Sequence, residues 1–215
     1  MSPVARGQRI RKGAIVRVDP LRPVPSVIVF QYNPDTLTRT LQVQGAGANE
    51  GDRSEALRLK GPPVETIKLE AEIDAADQLE FPDKNRATVE LGIHPHLAAL
   101  ETIVYPTVAQ VRANDALARA GTLEILPMEA PLAVFIWSRN RVVPVRITDF
   151  SVTEEAFDPS LNPLRAKVSL SMRVLSDNDL GADHRGTALF NAYHQQKENL
   201  AAKFTASASE LGVTL

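Results

Sequence analysis

Four short patterns in this sequence carry residue types that can do chemistry. His94-Pro95-His96 sets two imidazoles two residues apart. A metal needs a third and fourth donor at fixed reach, and no nearby third ligand can be named. With proline between the two, the segment reads as the first turn of a helix. Gly45-Ala46-Gly47 is a glycine pair without the third glycine or the following Lys-Ser/Thr that a phosphate cradle needs. It reads as part of a flexible arm. Asp177-Asn178-Asp179 with Gly181 has the start of a calcium loop, but Ala188 stands where the bidentate acid belongs. A turn or helix cap accounts for it better. Glu154-Glu155 is an adjacent pair, and on a strand the two side chains point to opposite faces, so they cannot act together as acid and base.

No Gly-x-Ser-x-Gly elbow is present, and there is no cysteine. The first removes a hydrolase nucleophile candidate. The second removes disulfides, thiolate metal sites, Fe–S clusters and thiol nucleophiles, and it suits assembly in a reducing cytoplasm. The expectation is a protein that is not an enzyme, with no catalytic residues, no metal and no cofactor. One Trp, three Tyr and seven Phe are too few, and too separate from basic runs, for a stacking platform on single-stranded nucleic acid. Trp137, Phe135, Phe30 and Tyr32 lie in apolar runs and read as core or subunit contacts.

The composition belongs to an ordinary globular chain. Its 215 residues are 44% hydrophobic and 23% charged, and 24 Lys+Arg against 26 Asp+Glu give −2. This excludes a disordered chain and a strongly basic nucleic-acid binder. The N-terminal residues are basic without an apolar core, unlike a secretory signal. The longest apolar run, Leu132 to Trp137, is about a third of what a membrane span needs, so no membrane insertion is expected. The near-zero total hides segregation. Residues 1–22 carry six basic groups against Asp19, a net of +5, and residues 65–90 carry eight carboxylates against three cations, a net of −5. These are either solvated surfaces or complementary faces meeting between subunits.

The elements around these patterns are mostly strands. Ile15 to Val18 is the first, and Val27 to Tyr32 reads as a strand buried on both sides. Thr36 to Val43 is β-prone, and residues 44–61 form a long polar loop that reads as an arm ordering against a neighbour. Gly45, Gly47, Asn49, Asp52 and Arg53 are its inter-subunit candidates. From Thr66 to Asp74, apolar Ile67, Leu69, Ala71 and Ile73 alternate with polar residues. From Leu164 to Val174 the device repeats, with a basic wet face where the first is mostly acidic. If the two strands pair, opposite charges across the ladder contribute about 0.2–1 kcal/mol each. Pro131 to Trp137 is another apolar strand. In Val142 to Glu154 the apolar phase changes from odd (Val143, Val145, Ile147) to even (Phe150, Val152), which predicts a bulge near Thr148–Asp149. Asp158 to Pro163 is the turn into the last strand.

Pro95 with Leu97, Leu100, Ile103 and Val104 predicts a helix ending at Tyr105-Pro106. Asp115 to Ala120 predicts a second, stopped by Gly121. Thr187 to Phe204, with Leu189, Tyr193, Leu200 and Phe204 on one stripe, predicts a third. The expected fold is mainly β, a closed or nearly closed antiparallel barrel with a short crossing helix and a C-terminal helix. Residues 1–180 would form the barrel domain and 181–215 a helix and tail.

Several runs resemble a family of contractile injection system tube and baseplate-hub proteins. They are Phe30-Gln-Tyr-Asn-Pro-Asp-Thr-Leu37, Glu65 to Leu69, Gly92 to Leu100, Tyr105-Pro106, Pro131 to Trp137, Val143 to Asp158 and Leu161 to Val168. The resemblance covers residues 25 to 180. It implies a fold similar to phage tail-tube and Hcp-like β-barrels, and a homo-hexameric ring joining the central spike to the inner tube at the baseplate hub. The implied partners are a VgrG-like spike below, an inner-tube protein above, and baseplate wedge or sheath proteins around. The particle would assemble in the cytoplasm and be released. Many relatives carry a C-terminal LysM domain; here only a helix and tail follow residue 180. On this resemblance Lys68, Glu70, Glu72, Arg165, Lys167, Ser169, Ser171 and Arg173 are expected to line the channel. The alternatives are a repeated inner-tube subunit of the same particle, or a monomeric β-barrel that binds a small ligand.

Overall fold

The computed structural model describes residues 11–18, 26–45, 58–121 and 130–204. Seven strands form one antiparallel sheet: β1 (Ala14–Val18), β2 (Ser26–Val29), β3 (Leu37–Gln42), β4 (Val64–Asp74), β5 (Leu132–Ser138), β6 (Arg141–Phe157) and β7 (Pro163–Val174). Their order across the sheet is β2-β1-β5-β6-β7-β4-β3. Four short helices follow β4: α1 (Ala76–Leu79), α2 (Arg86–Leu91), α3 (His94–Glu101) and α4 (Val108–Arg119). α5 (Arg185–Ala201) closes the described chain.

The sheet does not close into a hydrogen-bonded barrel, which corrects the expectation. β2 and β3 are its two ends and do not pair with each other. The sheet nevertheless curls until its ends approach. β3 stops opposite Leu69, so the last five residues of β4 have no strand on that side. The loop after β2 arrives there instead. The side-chain amide of Gln31 donates to the Asp74 carbonyl at 2.6 Å and accepts from the Asp74 N–H at 3.0 Å. α3 covers the remaining gap, inserting Leu97 and Leu100 into the core. Alternation therefore gives the curvature correctly, while closure depends on a partner strand that periodicity cannot name.

β4 and β7 pair in the register that places Asp74 opposite Arg165 and Glu72 opposite Lys167. Their inward residues, Ile67, Leu69, Ala71 and Ile73 against Met172, Leu170, Val168 and Ala166, are all buried. The phase change in β6 appears where expected, as a register shift between Ile147 and Asp149. The extra residue, Thr148, turns its hydroxyl to the Ser171 carbonyl at 3.1 Å. Beyond the bulge, Phe150 and Val152 take over the inward positions opposite Leu170 and Val168.

Two elements differ from their sequence reading. β2 is not buried on both faces: Val27 and Val29 are more than half exposed, because this strand ends the sheet and its outer face is uncovered. In α5 the buried stripe is Gly186, Thr187, Phe190 and Tyr193, whereas Leu200 and Phe204 face out. Phe190 and Tyr193 join the same core as the strands. α4 begins seven residues before the predicted Asp115 start. A capping box between Thr107 and Gln110 fixes its first turn.

Candidate assembly surface

The eight residues expected to line a channel all lie on the outer face of β4 and β7. Lys68, Glu70 and Glu72 on β4 and Arg165 and Ser169 on β7 are exposed; Lys167, Ser171 and Arg173 are half-buried. β6 extends this face with Asp149, Ser151, Thr153 and Glu155, opposite Ser171, Ser169, Lys167 and Arg165. β3 extends it on the other side with Thr38 and Thr40, opposite Lys68 and Thr66. The result is a four-stranded polar ribbon, β6-β7-β4-β3, of charged groups and small hydroxyls.

Opposite charges meet across its ladders. Arg165 Nε contacts Asp74 Oδ2 at 2.7 Å, and Lys167 lies 3.9 Å from Glu155. Burial favours the neutral Asp74 carboxyl, but the Ala76 N–H and the Arg165 guanidinium outweigh it and hold the group below its ordinary range. The sequence expectation of acid opposite base is met at Asp74–Arg165. Glu72 stands opposite Lys167, but Lys167 reaches Glu155 instead. Arg173 contacts Asp179 at 2.6 Å, and Asp179 also accepts from the Ser176 N–H at 3.1 Å. The Asp177-Asn178-Asp179 run is thus the turn its spacing suggested. Glu154 and Glu155 point to opposite faces, Glu155 toward Lys167.

Among the described residues the ribbon has two free edges, and they differ. On one side, β5 pairs with β6 only as far as Ala133↔Val145. Among the described residues no strand pairs with β6 from Arg146 to Phe157 on that edge. On the other side, the outer edge of β3 is the end of the sheet. Unpaired edges of this length are templates for strand addition. Of the arm residues, Gly45 is described and bridges Leu59, extending the β3–β4 hairpin by one pair. Gly47, Asn49, Asp52 and Arg53 lie outside the described residues.

Sequence reasoning missed the most buried charge among the described residues. Glu65 is 3% exposed at the start of β4. Its carboxylate accepts from Arg39 Nε at 2.7 Å, Lys197 Nζ at 2.9 Å and the Tyr193 hydroxyl at 3.0 Å. Burial alone would raise its pKa, yet the hydrogen bonds and charges of Arg39 and Lys197 carry it below the ordinary value. Glu65 breaks the apolar alternation that begins at Ile67, which was the available signal. Its partners lie up to 132 residues away, so no local pattern could name them.

His94 is exposed at the start of α3 and His96 is half-buried, as a helix start implies. His96 borders a cavity of about 280 Å³ between β2, α3 and the end of β4. A larger cleft of about 780 Å³ separates α4 from β5 and β6. Among the described residues no helix is long and apolar enough to cross a membrane.

Comparison with known proteins gives little identity. No family model matches, and no curated protein matches. Several solved chains are similar in part, among them these two. A chain of the anti-feeding prophage baseplate, solved by cryo-EM with six-fold symmetrisation, is 13% identical over 80% of this chain and 93% of its own, with a TM-score of 0.26. A chain of the native gene transfer agent virion is 10% identical over 75% and 90%, with a TM-score of 0.27. Superpositions this loose do not carry the architecture of those chains to this one.

Proposed function

We propose that this chain is a structural, non-enzymatic subunit of a contractile injection system. It would assemble head to tail into a hexameric ring that joins the central spike to the inner tube. The observation that carries the reading is the polar ribbon with two unlike free edges. When the edge of β6 on one copy meets the edge of β3 on the next, the contact is heterologous, and it generates a ring if the rotation closes. The ribbon's outward face, with Lys68, Glu70, Glu72, Arg165, Lys167, Ser169, Ser171 and Arg173, would then line the channel. Paired charges and small hydroxyls make a wall with few sticky apolar groups. The number six, the spike and tube partners, and cytoplasmic assembly before release come from the sequence resemblance. In this reading residues 44–61 reach the neighbouring subunit, and residues 181–215 stand where relatives carry a LysM domain.

The test uses the purified chain, alone and with a spike trimer, followed by light scattering and particle imaging. Six-fold rings of six chain masses are expected. A proline at Glu154 supplies the control. Both backbone groups of Asp74 face Gln31, away from β7. Strand alternation then turns the Thr153 backbone toward Lys167 and the Glu154 N–H outward. Glu154→Pro therefore blocks the edge without removing a β6–β7 bond, and it should leave a folded monomer. A chain that stays monomeric under every condition, spike included, overturns the reading.

A further inference from the structure

We infer that α5 licenses assembly: through Glu65 it holds β3 as a pairing-competent edge, with Tyr193 and Lys197 as positioning residues. The inference rests on the ring reading above. β3 is poorly anchored by its own sequence. Its inward positions are Leu37, Arg39 and Leu41; the first two are half-buried, and Leu41 is 46% exposed. Among the described residues it is laddered on one side only, to β4. An end strand with so little apolar cover opens at low cost compared with the interior of the sheet.

Beyond its ladder to β4 and the packing of Leu37, what ties β3 to the body is the Arg39 guanidinium. Its Nε donates to Glu65 at 2.7 Å and its Nη2 donates to the Tyr193 hydroxyl at 3.1 Å. The Tyr193 hydroxyl donates to Glu65 in turn, at 3.0 Å. Lys197 completes the cluster, with its ammonium 2.9 Å from Glu65 and 4.2 Å from the centre of the Tyr193 ring. Burial of Glu65 is tolerable only with these partners in place, because a buried carboxylate that loses its cations is strongly destabilising. The cluster therefore makes the position of β3 depend on the second half of α5. The first half is held separately, by Phe190 in the core and by the buried Thr187 hydroxyl, which donates to the Gly181 carbonyl at 2.8 Å. Loss of the cluster can thus loosen β3 without detaching the helix.

The test compares the full-length chain with Tyr193→Phe/Lys197→Met. Two readouts are taken: amide hydrogen exchange of monomers, and ring yield by light scattering. The expected result is faster exchange at Thr38 and Thr40, by about tenfold or more, with unchanged protection in β7. Ring yield should fall with it. A disulfide between Thr40→Cys and Thr66→Cys, which face each other across the ladder, should restore ring yield in the double variant. The chain has no other cysteine to compete. Rescue separates positioning of β3 from a general loss of stability, which a cross-link at that edge would not repair. If β7 protection also collapses, Tyr193→Phe alone replaces the double variant and removes only the hydroxyl. Unchanged exchange in β3, unchanged ring yield with a loosened β3, or failure of the disulfide to rescue overturns the inference. If the unaltered chain forms no ring at all, the assembly reading fails, and the exchange data still decide whether the cluster anchors β3.

Discussion

Gln31 and Asp74 meet as two strands would, although only one of them is in a strand. The Gln31 amide presents a carbonyl and an N–H to the backbone of Asp74, 3.0 and 2.6 Å from their partners, and so imitates one rung of a ladder. This contact joins the loop after β2 to the far end of β4. Tyr32 reinforces it, donating its hydroxyl to Asp77 at 2.9 Å. Gln31→Ala leaves the Asp74 groups without protein partners in a partly buried place. The expected cost is about 1–3 kcal/mol, read as a lower urea midpoint with an unchanged slope. A cost within error would mean that the curl of the sheet is set by α3 and the core alone.

Gly92 makes a second long-range junction. It ends α2 at φ +57° and ψ −135°, a combination that suits only glycine. A Cβ there would run into the Pro163 carbonyl. That carbonyl already accepts the Ile93 N–H at 2.9 Å, so the start of α3 is pinned to the start of β7. Gly92→Ala should cost more than about 2 kcal/mol, from backbone strain and collision together. Gly121→Ala is the comparison: its φ is +80°, but nothing lies within 4 Å of the added carbon, and about 1 kcal/mol is expected. Thermal melts of the two variants decide, and equal costs would contradict the assigned collision.

How much of this was legible follows from range. Strict alternation gave β4 and β7, their wet faces and the acid-to-base pairing at Asp74–Arg165. The odd-to-even change in β6 gave the bulge at Thr148. Pro95 and the spacing of Leu97 and Leu100 gave α3. All are periodicities within one segment. What was missed depends on what a segment meets. Val27 to Tyr32 looked like an interior strand, because an apolar run does not reveal that nothing covers one side. The α5 stripe holds at Tyr193 but fails at Leu200 and Phe204, because Thr187 and Phe190 set the buried face and the last turns lie beyond the core. Glu65 looked like one more acid of an acidic strand. Only the fold shows that it points inward, to groups supplied by β3 and α5. Closure of the barrel was the most costly error. A curled sheet and a closed one share the same alternation and differ only in which edges pair.

Acid should weaken the Glu65 cluster in a defined direction. The Glu65 pKa is lowered in the folded chain from an ordinary value of 4.5, because Arg39 and Lys197 outweigh the burial penalty. A depressed carboxyl contributes stability that is fully present above the unfolded value and is lost as pH falls through the folded one. Urea midpoints should therefore hold at neutral pH and decline from about pH 5 downward. Asp74 and Asp158 are depressed too and add to the decline. Glu65→Gln isolates one share: it should be weaker than the parent at pH 7 and show a shallower acid slope. An acid slope identical to the parent would remove Glu65 from the account.

The ribbon's outer face offers the most direct view of the assembly. Ser169 sits at its centre, exposed, opposite Glu70 on β4 and Ser151 on β6. Replacing one exposed small polar residue by another should shift stability by no more than about 0.5 kcal/mol. Ser169→Cys adds the chain's sole thiol, so labelling reports that position alone. In the monomer a small maleimide and one bearing a long polyethylene glycol chain should react at similar rates. In the ring the small reagent should still react, while the bulky one slows sharply, because it must enter a channel already lined by the neighbouring copies. A cysteine at Val29, exposed on β2 at the other end of the sheet, should show no such size dependence if that face stays outside. Equal labelling of Ser169→Cys by both reagents in a verified ring would put the polar ribbon on the outer wall, and the channel would then need another lining.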